Sequence, residues 1–314
     1  MKILLAAEEA AGARALQAVQ KSGHELLAVL TSTPEGTVGR EAARHQIPLL
    51  PATRLKEQAF AAEVRQMGAE VLLNVHSLYL IKPAILESFV LGSFNLHPGP
   101  LPDYAGMNAP SWALLHGEAT HGVTLHWMTA GIDEGLIAYQ ELFDLSEKDT
   151  GFTVSMRCTT LGLGMLNRLL TQLHADPAGV PRLPQDISRR RYFGRQTPHG
   201  GRVPHTMTAA ELDRFVRASD YSPFASPWGH PLVNIAGQNV SLVRVRRTGV
   251  PVHGVPVHGA PDLAATAGLA NPTAQVIVRD GELWLAAADE WTSLLRVAVN
   301  GNAVNPLTLV QAEG

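Results

Sequence analysis

Residues 94–106 read FNLHPGPLPDYAG, and residues 121–135 read HGVTLHWMTAGIDEG. The first segment begins as a β-type run in which Asn95 and His97 are two positions apart, so a strand presents both side chains on one face. Pro98 follows at once and has no backbone N–H, which ends strand pairing there. An amide and an imidazole are therefore expected side by side at a strand end.

The second segment supplies a carboxylate. A β-type run from Gly122 to Thr129 leads into a turn that holds Asp133 between Gly131 and Gly135. Glycine permits the tight backbone conformations that such a turn needs. We expect this turn to bring the Asp133 carboxylate close to the amide and the imidazole of the first segment.

Upstream, short apolar runs alternate with helical patterns. Strands are predicted at Lys2–Ala6, His24–Thr31, Ile47–Leu50 and Val71–Val75, and helices at Ala10–Val19, Val38–His45 and Leu55–Met67. This alternation predicts right-handed βαβ units and an α/β, Rossmann-like, mainly parallel sheet. The first turn lacks the GxGxxG pattern and carries Glu8 and Glu9, which would repel a pyrophosphate, so a nicotinamide dinucleotide is not expected.

Three regions are predicted along the chain. A strand at Ile137–Phe143 and a long apolar helix at Phe152–His174 complete a first domain, residues 1–175. Residues 176–205 are rich in Pro, Gly and Arg and indicate an extended linker over the surface. The segment contains a candidate phosphate-binding site, Arg189, Arg190 and Arg191, although a solvent-exposed basic run is the favoured interpretation.

Residues 206–314 predict a smaller, β-rich, OB-like barrel domain. Its helix, Ala209–Ala218, has Thr208 as N-cap and Glu211 in place for a capping box. Asp280 and Gly281 predict a hairpin turn. Strands are predicted at Leu232–Ile235, Gln238–Arg246, Ala274–Arg279, Glu282–Ala287 and Leu294–Val299. His253 and His258 lie in a predicted loop and are interpreted as mobile loop residues, so no metal site is expected.

Composition excludes several classes of protein. The 314 residues are 46% hydrophobic, which is enough for sizeable cores, and the net charge of −3 gives no basic field for nucleic acid, a partner that is therefore disfavoured. No apolar stretch reaches the roughly 20 residues that span a bilayer, so no membrane partner is expected. The single cysteine, Cys158, excludes an internal disulfide and is expected to be buried and inert. The N-terminal run predicts a strand and not a signal sequence, and a cytoplasmic enzyme is the default expectation.

The three central residues suit acyl transfer to an amine. A tetrahedral intermediate needs donors for its oxyanion, and the attacking amine must lose a proton. Asn95 and His97 supply donors and Asp133 an acceptor, so no serine or cysteine nucleophile is required. On residue types alone, the alternative is that Asn95 and His97 are ordinary strand-end polar groups and that Asp133 forms a turn.

The two quoted segments resemble the signature of the folate-dependent formyltransferases, the family of methionyl-tRNA formyltransferase and the amino-sugar N-formyltransferases. The resemblance extends over residues 1 to 175 in order and spacing, and the β-rich tail is similar to the family's C-terminal barrel. It implies that 10-formyltetrahydrofolate is the formyl donor and that Asn95, His97 and Asp133 are catalytic.

The resemblance also assigns the ligand-binding residues. The donor is expected between two segments: Leu78, Tyr79, Leu80 and Ile81, and Met128, Thr129, Ala130, Gly131 and Ile132. Candidate acceptor contacts are Tyr104, Asn108 and Ser111, with His121 beside them. For each of these four, a loop or helix-cap role is at least as strongly favoured.

The acceptor remains open between several amines. The tRNA-specific enzymes have a longer basic loop where this chain has Thr31–Arg40, with Arg40 as its one cation, and binding RNA requires several cations. A small or carrier-bound amine, amino-acid-derived or an amino sugar, is therefore favoured over tRNA, and the segment after Asp103 resembles the formylation domains of nonribosomal peptide synthesis. The rivals are methionyl-tRNA formyltransferase, a 10-formyltetrahydrofolate hydrolase and a noncatalytic folate-binding module. A homodimer is neither required nor excluded by the sequence.

Overall fold

The structure is a computed structural model that describes residues 1–252 and 274–310. The chain divides into two compact units. Unit 1 consists of Met1–Ala109, Thr120–Asp144 and Ser155–Gly194, and unit 2 of Pro110–Ala119, Leu145–Val154 and Arg195–Gly314. His253 and His258 lie outside the described residues.

Unit 1 is built on one mainly parallel sheet. Its strands are β1 (Lys2–Ala7), β2 (Glu25–Thr31), β3 (Leu49–Pro51), β4 (Val71–Val75), β5 (Gly92–His97), β7 (Thr120–Trp127) and β8 (Ile137–Asp144), while β6 (Ala105–Gly106) and β9 (Tyr192–Phe193) form a separate two-stranded pair. The strands of the main sheet lie in the order β3-β2-β1-β4-β5-β7-β8, parallel from β3 to β5 and antiparallel beyond it. In β1 every residue after Lys2 is buried, the continuous apolar pattern of a parallel strand covered on both faces. The predicted Rossmann-like sheet is confirmed.

Unit 1 also contains helices. They are α1 (Glu9–Lys21), α2 (Thr37–Arg44), α3 (Phe60–Met67), α4 (Pro83–Leu86) and, from Ser155 onward, α6 (Gly151–Ala175). Unit 2 contains α7 (Ala209–Ala218) and, from Pro110 onward, α5 (Ala109–His116). A Cβ at Gly162 of α6 would lie 2.7 Å from the Leu96 side chain of β5, so glycine allows this close approach. Cys158 of α6 is buried, and burial raises the pKa of its thiol to about 12, as an inert cysteine requires.

The predicted helix Leu55–Met67 is wrong in its first turn. A short 3-10 helix covers Ala52–Lys56, Glu57 is extended, and α3 begins only at Phe60. The backbone N–H of Lys82 donates to the Leu55 carbonyl at 3.1 Å, so this carbonyl is taken by a partner distant in sequence instead of by the next helical turn.

Unit 2 contains an antiparallel sheet that curls into an OB-like half-barrel. Its strands are β10 (Leu232–Ile235), β11 (Gln238–Pro251), β12 (Val276–Arg279), β13 (Glu282–Ala286), β14 (Glu290–Val299) and β15 (Asn302–Val304). Their order is β10-β11-β14-β13-β12, with β15 beside β14. Asp280 and Gly281 have φ values of 52° and 75° and join β12 to β13, which confirms the hairpin.

The second unit also contains the predicted helix cap. The Thr208 hydroxyl accepts from the Glu211 N–H, and the Glu211 carboxylate accepts from the Thr208 N–H, which is a complete capping box. β15 was not predicted. In the described part of the chain, no helix is long and apolar enough to cross a membrane.

Candidate active site

Three polar side chains form a row across neighbouring strands of unit 1. Asn74 of β4 stands level with Asn95 of β5, and Asn95 with His126 of β7. Side chains at one level of adjacent strands share a face. Nδ2 of Asn74 donates to Oδ1 of Asn95 at 2.8 Å, and Nδ2 of Asn95 lies 3.1 Å from Nε2 of His126. The Asn95 amide is thus held from both sides.

Asp133 lies against this row. Its Oδ1 accepts from Nδ2 of Asn95 at 3.3 Å and lies 3.4 Å from Nε2 of His126. Its Oδ2 accepts from the Gly106 N–H at 2.8 Å and lies 3.5 Å from Nδ1 of His97. The structure therefore brings Asn95, His97 and Asp133 together, and it adds His126 to them.

The turn that carries Asp133 has an unusual backbone. Asp133 has a φ of 55°, in the left-handed region that few non-glycine residues adopt. A Cβ at Gly135 would lie 1.7 Å from the Trp127 carbonyl oxygen, so any side chain there would displace the turn. Gly135 thus permits the close approach to β7 that brings the carboxylate to the row.

The site is buried, and its charges are coupled. Burial raises the pKa of Asp133, but His97, His126 and the Gly106 N–H more than offset this and hold it well below its usual range. Burial lowers the pKa of His97, and the neighbouring Asp133 charge offsets only part of that effect. The site therefore holds an ionised carboxylate beside a neutral imidazole at neutral pH.

The hydrogen bonds indicate where a proton is gained. Nε2 of His97 lies 2.6 Å from the Tyr104 carbonyl oxygen, which can only accept, so Nε2 carries a hydrogen. Nδ1, which faces Asp133, is then the atom at which the ring takes up a further proton. The Asp133 charge stabilises the imidazolium that forms. The arrangement can accept a proton from an attacking nucleophile, and the Asn95 amide hydrogens can stabilise a developing oxyanion.

The two segments predicted to bind the donor meet at one core. Ile81 is buried in the apolar cluster of unit 1, and Tyr79 and Met128 pack against that same cluster. Leu78 and Leu80 are each 64% exposed, and Ile132 is 36% exposed. Thr129 and Ala130 are exposed and Gly131 is half-buried. Residues of both segments thus combine anchored side chains with apolar side chains that face solvent.

The candidate acceptor contacts differ in accessibility. The side chains of Tyr104 and His121 are buried, with Tyr104 stacked on Phe193 and Nε2 of His121 donating to the Pro98 carbonyl at 3.0 Å. Asn108 is half-buried with a φ of 56°. Ser111 belongs to unit 2, is fully buried and hydrogen-bonds the Tyr221 hydroxyl at 2.9 Å.

Sequence reasoning missed Asn74, His126 and Gln185. Asn74 is the one polar residue in the strand VLLNV, and His126 lies in the quoted second segment, so both had a signal. Gln185 had none: its Nε2 donates to the carbonyls of Asp133 and Gly135, about 50 residues away in sequence.

The three consecutive arginines of the predicted linker contact other residues of unit 1. Arg189 pairs with Asp103 at 2.7 Å, Arg190 donates to the Ile132 carbonyl at 2.9 Å, and the Arg191 guanidinium lies 4.5 Å from the Tyr104 ring centroid. The favoured interpretation as a solvated run is therefore incomplete. These arginines hold loops around the site.

A cleft of about 790 Å³ lies elsewhere in unit 1, between α1 and α6. Its lining includes Arg14, Lys21, His24 and His174 and none of the residues described above. It is thus separate from the candidate active site.

Residues 1–170 match the family described as formyl transferase. The match covers more than half of the chain and includes Asn74, Asn95, His97, His126 and Asp133. The chain belongs to the formyl transferase family. The predicted relationship to the folate-dependent formyltransferases is confirmed.

Solved structures share the fold. An N-formyltransferase from Helicobacter canadensis, in complex with folinic acid and dTDP-3-aminofucose, is 16% identical, with a TM-score of 0.64 over 94% of this chain and 98% of that one. A 4-N formyltransferase from Francisella tularensis is 15% identical, with a TM-score of 0.63 over 76% and 94%. HypX from Aquifex aeolicus, in complex with tetrahydrofolic acid, is 17% identical, with a TM-score of 0.60 over 99% of this chain and 47% of that one.

Proposed function

We propose that this formyl transferase moves the formyl group of 10-formyltetrahydrofolate onto the primary amine of a small or carrier-bound metabolite, either amino-acid-derived or an amino sugar. The observation that carries the proposal is the convergence of Asn95, His97 and Asp133, with Nδ2 of Asn95 and Nδ1 of His97 at 3.3 and 3.5 Å from the Asp133 carboxylate. This set offers an oxyanion donor, a proton acceptor and a charge that stabilises the protonated acceptor.

Each of the three residues has its own role. The amine nitrogen attacks the formyl carbon, the bond from that carbon to the folate nitrogen breaks, and the one proton that the amine gives up ends on the departing folate nitrogen, with His97 carrying it between the two. We assign the Asn95 amide to the developing oxyanion. Nδ1 of His97 takes the amine proton, because its other nitrogen already donates to the Tyr104 carbonyl. Asp133 stabilises the resulting imidazolium.

The donor site is assigned to the segments Leu78–Ile81 and Met128–Ile132. The exposed leucines and Ile132 suit the face of an aromatic ring, and two buried polar atoms suit its polar edge. Oγ of Ser77 and the free side-chain oxygen of Asn74 are both buried and have no hydrogen-bond partner among the described residues. A heteroaromatic ligand that donates to Asn74 and bonds Ser77 would satisfy them.

A small or carrier-bound acceptor is favoured over tRNA by charge. The chain has a net charge of −3, and Arg40 of α2 donates to the Glu35 carbonyl, just before that helix, at 2.7 Å. Among the candidate acceptor contacts, Asn108 is the one in unit 1 whose side chain is not buried, so we assign it to the acceptor. We further assign residues 1–175 to catalysis. A cytoplasmic location and a homodimer stay predictions.

The test is incubation of the purified protein with 10-formyltetrahydrofolate and a panel of amines. The panel contains nucleotide-linked amino sugars, aminoacyl carrier proteins and aminoacylated initiator tRNA, with water as the acceptor in a parallel reaction. We expect tetrahydrofolate to form only with a small or carrier-bound amine, together with a product heavier by one formyl group. Formylation of the tRNA, formate release without amine, or donor binding without turnover would each replace the proposal with the corresponding rival function.

A further inference from the structure

The segment from residue 181 to 193, here called the strap, lies outside the family match and runs along unit 1. Its start is fixed to β7 and β8. The indole N–H of Trp127 donates to the Pro181 carbonyl at 2.9 Å, and the guanidinium of Arg182 lies 3.7 Å from the Trp127 ring centroid. The backbones of Ile137 and Leu183 exchange two hydrogen bonds, at 2.8 and 3.0 Å.

The end of the strap is fixed to the loop after β5. A short strand, β9 (Tyr192–Phe193), pairs in parallel with β6 (Ala105–Gly106). The Phe193 ring stacks on Tyr104, with centroids 5.3 Å apart. β6 contains Gly106, whose N–H donates to the Asp133 carboxylate. The strap therefore braces the element that supplies this donor.

The middle of the strap holds the backbone of the Asp133 turn. Nε2 of Gln185 donates to the Asp133 carbonyl at 2.9 Å and to the Gly135 carbonyl at 2.6 Å. Nη2 of Arg190 donates to the Ile132 carbonyl at 2.9 Å. Carbonyl oxygens only accept, so Gln185 commits both amide hydrogens to this turn.

We propose that Gln185 is a positioning residue: it fixes the backbone on both sides of Asp133 and thereby sets the carboxylate against Asn95 and His97. The inference rests on the proposed function for its consequence in catalysis, but not for its structural content. The left-handed backbone of Asp133 is disfavoured for a non-glycine residue and persists only where its surroundings hold it. Gln185 supplies two of the hydrogen bonds that do so.

The variant Gln185→Ala tests this role, with Gln172→Ala as the matched control, because Nε2 of Gln172 also donates to a backbone carbonyl, that of Asp176, away from the site. We expect kcat to fall about tenfold in Gln185→Ala, with KM for both substrates and the unfolding midpoint close to wild type. The kcat of Gln185→Glu should fall further, because this variant places a carboxylate against two carbonyl oxygens. Gln185→Lys, which keeps a donor, should recover part of the loss.

A second measurement separates this inference from the proposed function. The measurement is an NMR titration of the histidine rings. In the wild type, the nearby Asp133 charge raises the pKa of His97. If Gln185→Ala lets the Asp133 carboxylate move away, the pKa of His97 should therefore be lower in that variant. This shift would support the inference even if no amine is formylated. The inference would be overturned if His97 has the same pKa in Gln185→Ala as in the wild type. It would also be overturned if the wild-type protein is active and Gln185→Ala has the same kcat.

Discussion

The side-chain amide of Asn74 donates to Oδ1 of Asn95 at 2.8 Å, across two parallel strands. This bond decides which end of the Asn95 amide faces Asp133. Because Oδ1 of Asn95 accepts from Asn74, Nδ2 of Asn95 faces the Asp133 carboxylate and is available as a donor. A residue outside the three predicted ones therefore orients the proposed oxyanion donor.

Asn74→Asp should impair formyl transfer. The new carboxylate and Oδ1 of Asn95 would both be hydrogen-bond acceptors and would repel each other. The Asn95 amide should therefore rotate, so that its nitrogen faces residue 74 and its oxygen faces Asp133. One lost oxyanion donor costs about a hundredfold in rate or more, and we expect kcat to fall by about that factor. Asn167→Asp, at an exposed position of α6, is the control. A wild-type kcat in Asn74→Asp would show that Asn95 keeps its orientation without this bond.

Leu80→Glu should weaken donor binding without affecting the fold. Leu80 is 64% exposed on a segment assigned to the folate ring, so burial beneath the ligand is its expected role. Loss of that apolar contact and desolvation of a charge should raise KM for 10-formyltetrahydrofolate about tenfold. Leu142→Glu is a close control, because Leu142 is 63% exposed on β8. Equal KM values for the two variants would remove Leu80 from the donor site.

Stability should fall as the pH drops below about 6.5, the usual pKa of histidine. Burial lowers the pKa of His97 in the folded protein, so the unfolded chain binds a proton at a higher pH than the folded one. Stability is then fully present above the unfolded pKa and is lost as the pH falls toward the folded pKa, by about 1.4 kcal/mol for each unit of difference.

Urea unfolding between pH 5 and 8 measures this dependence. His97→Gln should have a flatter profile over the acid part of the range, because it removes one group that takes up a proton on unfolding. His205→Gln, at an exposed histidine, should keep the wild-type profile. Identical slopes for wild type and His97→Gln would mean that other groups account for the acid loss.

The helix cap of unit 2 should contribute to stability and not to catalysis. Thr208→Ala removes the side-chain oxygen that accepts from the Glu211 N–H, and loss of such a cap typically costs about 1 kcal/mol. Chemical denaturation measures that cost. Turnover of Thr208→Ala should match wild type under conditions where both proteins are folded, and a specific loss of kcat would assign this helix a part in the reaction.

Local signals in the sequence predicted much of this architecture. The strand Val71–Val75, the capping box at Thr208 and the turn at Asp280 depend on neighbouring residues only, and the structure has each of them. The break before α3 was missed because the Leu55 carbonyl is taken by Lys82, a contact between residues distant in sequence. Gln185 was missed for the same reason.

Asn95→Ala is the most direct test of the active site. Nδ2 of Asn95 donates to Asp133 and lies 3.1 Å from Nε2 of His126, so its amide hydrogens are already aimed at the centre of the site. Without them the oxyanion loses a donor, which raises the barrier by about 3 kcal/mol, and kcat should fall a hundredfold or more. KM for the donor should change little, because the effect arises in the transition state. The kcat of His97→Ala should fall by at least the same factor. Wild-type rates in both variants would exclude the proposed mechanism.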